Sequence, residues 1–172
     1  VIVWLIGLSG AGKTTIGRPL TERLKDEWGE QVVYLDGDDL RDIWGDKLGH
    51  TVEARRVNAH RISHLCKLFD NNQIHAVASV LSIFPDWQEW NRSQFSSYFE
   101  IYLKTEVETV SARDPKGIYR NAFNGKEKNV VGLDIEFPEP SNPDMTIVND
   151  ATLDDVTPIV DRIVAELRNP RR

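Results

Sequence analysis

The sequence predicts an α/β fold: a three-layer α/β/α arrangement around a five-stranded, mostly parallel sheet, with a separate lid segment. Three observations carry that expectation. Short apolar runs alternate with longer stretches of helical periodicity, the pattern of strands joined by crossover helices. The first run, Val1–Ile6, is apolar at every position, as in a strand buried on both faces. A glycine-rich turn follows it directly.

The elements follow in order. Thr14–Trp28 reads as a helix, with Ile16, Leu20 and Leu24 on one side. Gln31–Leu35 is a second strand that ends at Asp36. Val52–Phe69 is a long helix whose core stripe is Ile62, Leu65, Cys66 and Phe69. Ile74–Leu81, Tyr98–Leu103 and Met145–Val148 read as the third, fourth and fifth strands, and Thr152–Leu167 as a closing helix. Two segments break the rhythm. Phe84–Phe95 is rich in Trp and polar residues. Arg113–Pro143 carries three glycines and several prolines with only short helical patches, yet retains apolar residues such as Tyr119, Val130 and Phe137. A stretch of that kind reads as a lid over a site.

The bulk numbers bound the function. A chain of 172 residues fits one domain, 1–172, with the lid at about 113–143. Its net charge of −6 argues against a nucleic-acid partner, which needs a basic surface, but not against a small phosphorylated ligand. Cys66 is the single cysteine, so no intrachain disulfide forms, and a reducing, cytoplasmic compartment is the simplest reading. No apolar run approaches ~18 residues, so no membrane span is expected.

Gly7-Leu8-Ser9-Gly10-Ala11-Gly12-Lys13-Thr14 fits G-x-x-x-x-G-K-[ST], with a strand before it and a helix after it. In that setting backbone N–H groups and the helix N-terminus face anionic oxygens. The lysine reaches the β- and γ-phosphates of a bound triphosphate, and the threonine hydroxyl serves Mg²⁺. These residues predict a P-loop NTPase fold and a kinase that uses ATP. The competing reading is a glycine-rich turn with a solvated lysine. Asp36-Gly37-Asp38-Asp39 and Arg41 follow the second strand, where parallel sheets gather ligands. One carboxylate can hold Mg²⁺ and the other can take a proton from an attacking hydroxyl. The alternative is an acidic turn that caps a helix. Arg55, Asn58 and Ile62 share a helical stripe that points inward and suggests a cleft, although a structural salt bridge competes for Arg55. The opposite stripe, Arg56, His60, Ser63 and Lys67, reads as a solvated face.

Over nearly its whole length the chain resembles the adenylyl-sulfate (APS) kinase family. The markers are GLSGAGKTT from Gly7, YLDGDDLR from Tyr34, the R-x-x-N-x-x-R of Arg55, Asn58 and Arg61, and RDPKGIY from Arg113. The resemblance implies ATP-dependent phosphorylation of the ribose 3′-hydroxyl of adenylyl sulfate, a place in sulfate assimilation, ATP and Mg²⁺ as cofactors, and a tendency to form homodimers. By residue it implies Lys13 and Asp38 as catalytic, Asp38 being the general base. Gly7, Ser9, Gly10, Ala11, Gly12, Lys13, Thr14 and Thr15 would hold ATP, with Arg113 and Lys116 along its flank, and Thr14 and Asp36 would serve the metal. Arg41, Arg55 and Asn58 would hold the acceptor, Lys128 would reach anionic oxygens as the lid closes, and Ser82 stands where the family has a serine once considered a phosphate carrier. Direct in-line transfer is favoured, because positioning and charge stabilisation do most of the work in phosphoryl transfer.

The chain departs from the family pattern around the acceptor. Two phenylalanines that sandwich the acceptor's adenine are replaced by His50 and Val130, the latter beside Gly132. The serine segment continues Ile83-Phe84-Pro85 and lacks its arginine, and Trp87 and Trp90 follow. Base–aromatic stacking is worth about 1–3 kcal/mol per base. The tryptophans would therefore either restore lost stacking or belong to the core or to an interface. Adenylyl sulfate is the first acceptor expected. The alternative is another nucleotide with a smaller base, such as cytidine diphosphoramidate in capsule modification. A non-catalytic nucleotide-binding module is disfavoured by the intact Lys13, Thr14, Asp36 and Asp38.

Overall fold

A computed structural model describes residues 1–45, 48–149 and 156–168. Its strands are β1 (Ile2–Ile6), β2 (Val32–Asp36), β3 (His75–Val80), β4 (Tyr98–Lys104) and β5 (Met145–Val148). Its helices are α1 (Lys13–Trp28), α2 (Gly37–Ile43), α3 (Val52–Asn71), α4 (Pro85–Gln94), α5 (Val107–Arg113), α6 (Ile118–Phe123) and α7 (Thr157–Arg168). The strands form one sheet in the order β2-β3-β1-β4-β5. Every neighbouring pair is parallel, so the sheet is wholly rather than mostly parallel.

The three layers follow from β1. Its residues are all buried, and successive side chains leave on opposite faces. Val3 and Leu5 join a core with Ile16, Leu20 and Leu24 of α1 and Ile163 of α7. Ile2, Trp4 and Ile6 join a second core with Ile62 and Cys66 of α3 and Phe95 beyond α4. Because β1 lies mid-sheet, its carboxyl end and the loop after it open where β3 and β4 also end, the usual place for a ligand in such sheets.

Several elements differ from expectation. Phe84–Phe95 is regular after all: α4 starts at Pro85, whose missing N–H costs nothing in a helix's first turn. Its buried positions include Gln88 and Asn91, so apolar periodicity does not mark it. The Asp-rich turn holds α2, capped by the Asp36 side chain, which accepts from the Asp38 N–H at 3.0 Å. The lid segment contains α6 and a single bridge between Val131 and Ile135. The closing helix starts at Thr157, and residues 152–155 of the expected helix lie outside the described residues. The α3 stripe expected to be solvated is so in part: Arg56, paired with Asp86 of α4, and His60 are exposed, Lys67 is half-buried and bonds the Gln94 carbonyl, and Ser63 is fully buried.

Candidate active site

A cavity of about 370 Å³ opens at the carboxyl ends of the strands. Its donor half is the loop after β1. Ser9, Gly10, Gly12, Lys13, Thr14 and Thr15 line it. Gly12 caps α1 at φ 96°, a left-handed conformation that glycine adopts without a Cβ clash, and this turns the first N–H groups of α1 toward the cavity. Lys13 folds over the loop: its Nζ donates to the carbonyls of Gly7 and Leu8, each at 2.8 Å. Burial lowers its pKa to about 8, against the pull of Asp38. Ala11 is fully buried, and its carbonyl accepts from Asn149 Nδ2 at 2.8 Å.

Asp36 ends β2 with both oxygens engaged. Oδ1 caps α2, and Oδ2 accepts from the Thr14 hydroxyl at 3.0 Å and from the Tyr34 hydroxyl at 3.2 Å. Thr14 and Asp36 thus present hard oxygen donors side by side, a set that suits Mg²⁺, which takes one or two protein ligands and fills its shell with water and phosphate. Asp38 stands one turn further, in an ion pair with Lys116. Burial alone would raise its pKa. Lys116, then Lys13 and Arg41, outweigh that and hold the carboxyl below its ordinary value.

The part of the cavity lined by Arg41 and Arg55 is cationic. Arg41 Nη1 donates to the Gly49 carbonyl at 2.7 Å, while its Nε is buried without a protein partner. Arg55 donates to the carbonyls of His50 and Asn129, both at 2.9 Å. Burial and the neighbouring Arg41 lower the Arg55 pKa, and burial with both arginines lowers that of His50. Two guanidiniums held close together, with Asp38 near both, Asp42 near Arg41 and Asp134 near Arg55, make a seat for an anion. Asn58 is buried and binds Trp44 Nε1 at 3.0 Å.

Most of the sequence-predicted residues meet here: besides the loop, the cavity is lined by Asp36, Asp38, Arg41, His50, Arg55, Asn58, Ser82, Lys116 and Val130. Others stand outside its wall. Gly7 contributes its carbonyl to Lys13. Arg113 donates to the Asn149 carbonyl at 3.0 Å. Lys128 is exposed, and Gly132 (φ 94°) turns the chain against Leu8 and Val107. The Ser82 hydroxyl accepts from Trp4 Nε1 and from Gln88 Nε2, both at 3.3 Å. Trp87 and Trp90 do not reach the cavity; they pack against His60 and His64 between α3 and α4. The residues that sequence reasoning missed are mostly apolar, Ala59, Ile83, Phe84 and Ile118 among them, with the polar Ser79 beside these in the wall. Phe84 was discoverable as an aromatic just past a strand's carboxyl end. The RDPKGIY block seats the lid: Asp114 accepts from the N–H groups of Tyr119 and Arg120, and the buried Tyr119 donates its hydroxyl to the Ser9 carbonyl at 3.2 Å.

The chain is similar to known proteins over most of its length. The adenylylsulphate kinase family model matches residues 1–148. A cytidine diphosphoramidate kinase of Campylobacter jejuni is 35% identical over 166 residues, 96% of this chain and 95% of the relative. An adenylyl-sulfate kinase of Clostridium kluyveri is 37% identical over 165 residues, 95% of this chain and 81% of the relative. The solved structure of the Mycobacterium tuberculosis APS kinase in complex with AMPPNP and APS is 29% identical with a TM-score of 0.85, covering 98% of this chain and 97% of that one. Shikimate kinase from Aquifex aeolicus shares the fold at a TM-score of 0.60 and 14% identity. No helix among the described residues is long and apolar enough to cross a membrane. The chain therefore belongs to the adenylylsulphate kinase family, and it is a nucleotide-dependent kinase that transfers phosphate to a hydroxyl of a small nucleotide.

Proposed function

We propose that the chain transfers the γ-phosphate of ATP to the ribose 3′-hydroxyl of a pyrimidine nucleotide with a 5′-diphosphate-like tail, of which cytidine diphosphoramidate is the model. The carrying observation is the position of Asp38, within electrostatic reach of Lys13 on the donor side and of Arg41 on the acceptor side. A hydroxyl seated at that junction gives its proton to the Asp38 carboxylate as its oxygen takes the phosphoryl group, and ADP leaves. Lys13 and the N–H groups of the loop offset charge on the β- and γ-phosphates. Thr14 and Asp36 would hold Mg²⁺, which supplies charge neutralisation at the transferring phosphate. Arg41 and Arg55 face the acceptor's anionic tail. The Ser82 hydroxyl, held between Trp4 and Gln88, is a structural group in this scheme, so transfer is direct.

The choice of a single-ring base rests on the cavity wall. Val130 is buried there and His50 is exposed, so neither supplies a buried ring, whereas a double sandwich would suit adenine. The relative named for cytidine diphosphoramidate, aligned over 96% of this chain, supports the same reading. Adenylyl sulfate is the second reading, favoured by the 37% identity to the Clostridium kluyveri enzyme. An acceptor panel separates them. With ATP and Mg²⁺ in excess, kcat/KM is expected to be at least about tenfold higher for cytidine diphosphoramidate than for adenylyl sulfate. The reverse preference overturns the pyrimidine assignment, and acceptor-independent ATP turnover overturns the kinase assignment for this class.

A further inference from the structure

The cavity contains one aromatic ring that no motif marks. Phe84 is 7% exposed and lies in the acceptor wall with Val130, Ala59 and Ile83. It is held from two sides. Toward the sheet, Ser82 takes a positive φ of 54°, and Gln88 of α4 locks that turn by donating to the Ser82 carbonyl at 3.0 Å. The Phe84 carbonyl then accepts from the N–H groups of Trp87 and Gln88, so the ring is anchored to the first turn of α4. Toward solvent, the Arg56 guanidinium of α3 sits 4.3 Å from the ring centroid. Its own position is set by Asp86, which accepts from Nη1 at 2.6 Å and Nη2 at 3.4 Å. The guanidinium thus bridges α3 to α4 directly over the ring.

We propose that Phe84 is the stacking platform for the acceptor's base, and that Arg56, fixed by Asp86, is a positioning residue that sets the ring's angle from outside the cavity. The inference rests on the acceptor reading above only in assigning this half of the cavity to a nucleotide base. One ring, with the smaller Val130 lining the same cavity, grips a single-ring base and leaves part of a purine unstacked. A charged strap over this buried ring is rigid in a way a loose apolar contact is not, because both guanidinium bonds to Asp86 restrict its rotation.

The test is calorimetric titration of CDP and of adenylyl sulfate into protein whose donor site is filled with AMPPNP. In Phe84→Leu the tighter of the two acceptor ligands should bind about tenfold or more weakly, the order expected from one lost base–aromatic stack. AMPPNP affinity should stay within about twofold. Arg56→Leu should weaken the same ligand by about two- to fivefold, the order of an exposed cation–π contact. Arg56→Lys should recover part of that loss, and Asp86→Asn should resemble Arg56→Leu more weakly. Arg56 and Asp86 are exposed, so these variants keep the test valid if Phe84→Leu folds poorly. Unchanged acceptor affinity in Phe84→Leu, or in Arg56→Leu if that variant alone folds, overturns the proposal, as does a parallel loss of AMPPNP affinity. Parent protein that prefers adenylyl sulfate but loses it in Phe84→Leu refutes the pyrimidine reading and keeps the platform. Parent that prefers CDP and does not respond to Phe84→Leu does the opposite. Parent that binds neither ligand overturns both.

Discussion

Lys116, in the turn that opens the lid helix, forms an ion pair with Asp38, 78 residues earlier in the chain and at the start of α2. Their union joins the 113–143 segment to the group proposed to take the acceptor's proton, and it bears on how that group titrates.

Asp38 is held below the ordinary carboxylate range, with burial opposed and outweighed by Lys116, Lys13 and Arg41. A base with a depressed pKa stays ionised until the pH falls through that lowered value. Removing Lys116 deletes the largest opposing cation while burial still acts. Lys116→Met should therefore move the acid limb of kcat/KM to higher pH, measured as a pH–rate profile. The stability linked to Asp38 has the same sign: it is present above the unfolded-state pKa and lost as pH falls through the folded one. Lys116→Met should accordingly lose acid resistance. Asp38→Asn should lower kcat by about 10²–10⁴-fold, the usual contribution of general base catalysis, with nucleotide affinity nearly unchanged.

Lys13 carries a pKa lowered to about 8 by burial. Between that value and the ordinary lysine range the folded protein holds fewer protons than the unfolded chain, so the linked stability rises with pH across that window. A bound triphosphate favours the charged ammonium. Binding of AMPPNP at pH 9 should then take up a proton, and affinity should fall as pH rises through about 8. Calorimetry in buffers of different ionisation enthalpy reads the uptake directly. A buffer-independent enthalpy in both parent and Lys13→Met would mean that Lys13 keeps its proton without nucleotide.

Gly17 of α1 lies where a Cβ would meet Ser79 Oγ and Tyr34 Cε2, both at 2.7 Å, and Leu5 Cδ1 at 3.1 Å. Alanine improves helix propensity by up to about 1 kcal/mol, but overpacking a closed interface costs about 1–3 kcal/mol. Packing wins because Leu5 and Tyr34 are themselves wedged between sheet and helix. Gly17→Ala should lose about 1–2 kcal/mol in urea unfolding. It should also perturb the phosphate loop, since Ser79 Oγ donates to the Lys13 carbonyl at 3.3 Å.

What the sequence revealed depended on how far each signal reaches along the chain. The strands were legible because burial on both faces leaves continuous apolar runs such as Ile2–Ile6. The donor loop was legible because its chemistry lies in one contiguous stretch. Helix α4 was hidden because its inward residues, Gln88 and Asn91, are polar. Helix α2 was legible only as the alternative reading of Asp36–Asp39, an acidic turn that caps a helix, and Asp36 does cap it. Ser63, on the α3 stripe that looked solvated, is buried by tertiary packing that no local pattern announces. For the same reason Phe84 was passed over while Trp87 and Trp90, larger and nearby in sequence, drew attention; their rings point to His60 and His64 instead.

The two halves of the cavity are built in different ways, and this bears on how such enzymes diversify. The phosphate-loop side comes from one contiguous stretch of chain, from Ser9 to Thr15. The acceptor half is a patchwork of side chains from α2, α3, the Ser82–Phe84 turn and the Val130 strand-like segment. These patches lie far apart in the sequence, so each can be substituted separately. A lineage can thus exchange one nucleotide acceptor for another through a few dispersed replacements while the transfer chemistry is inherited intact.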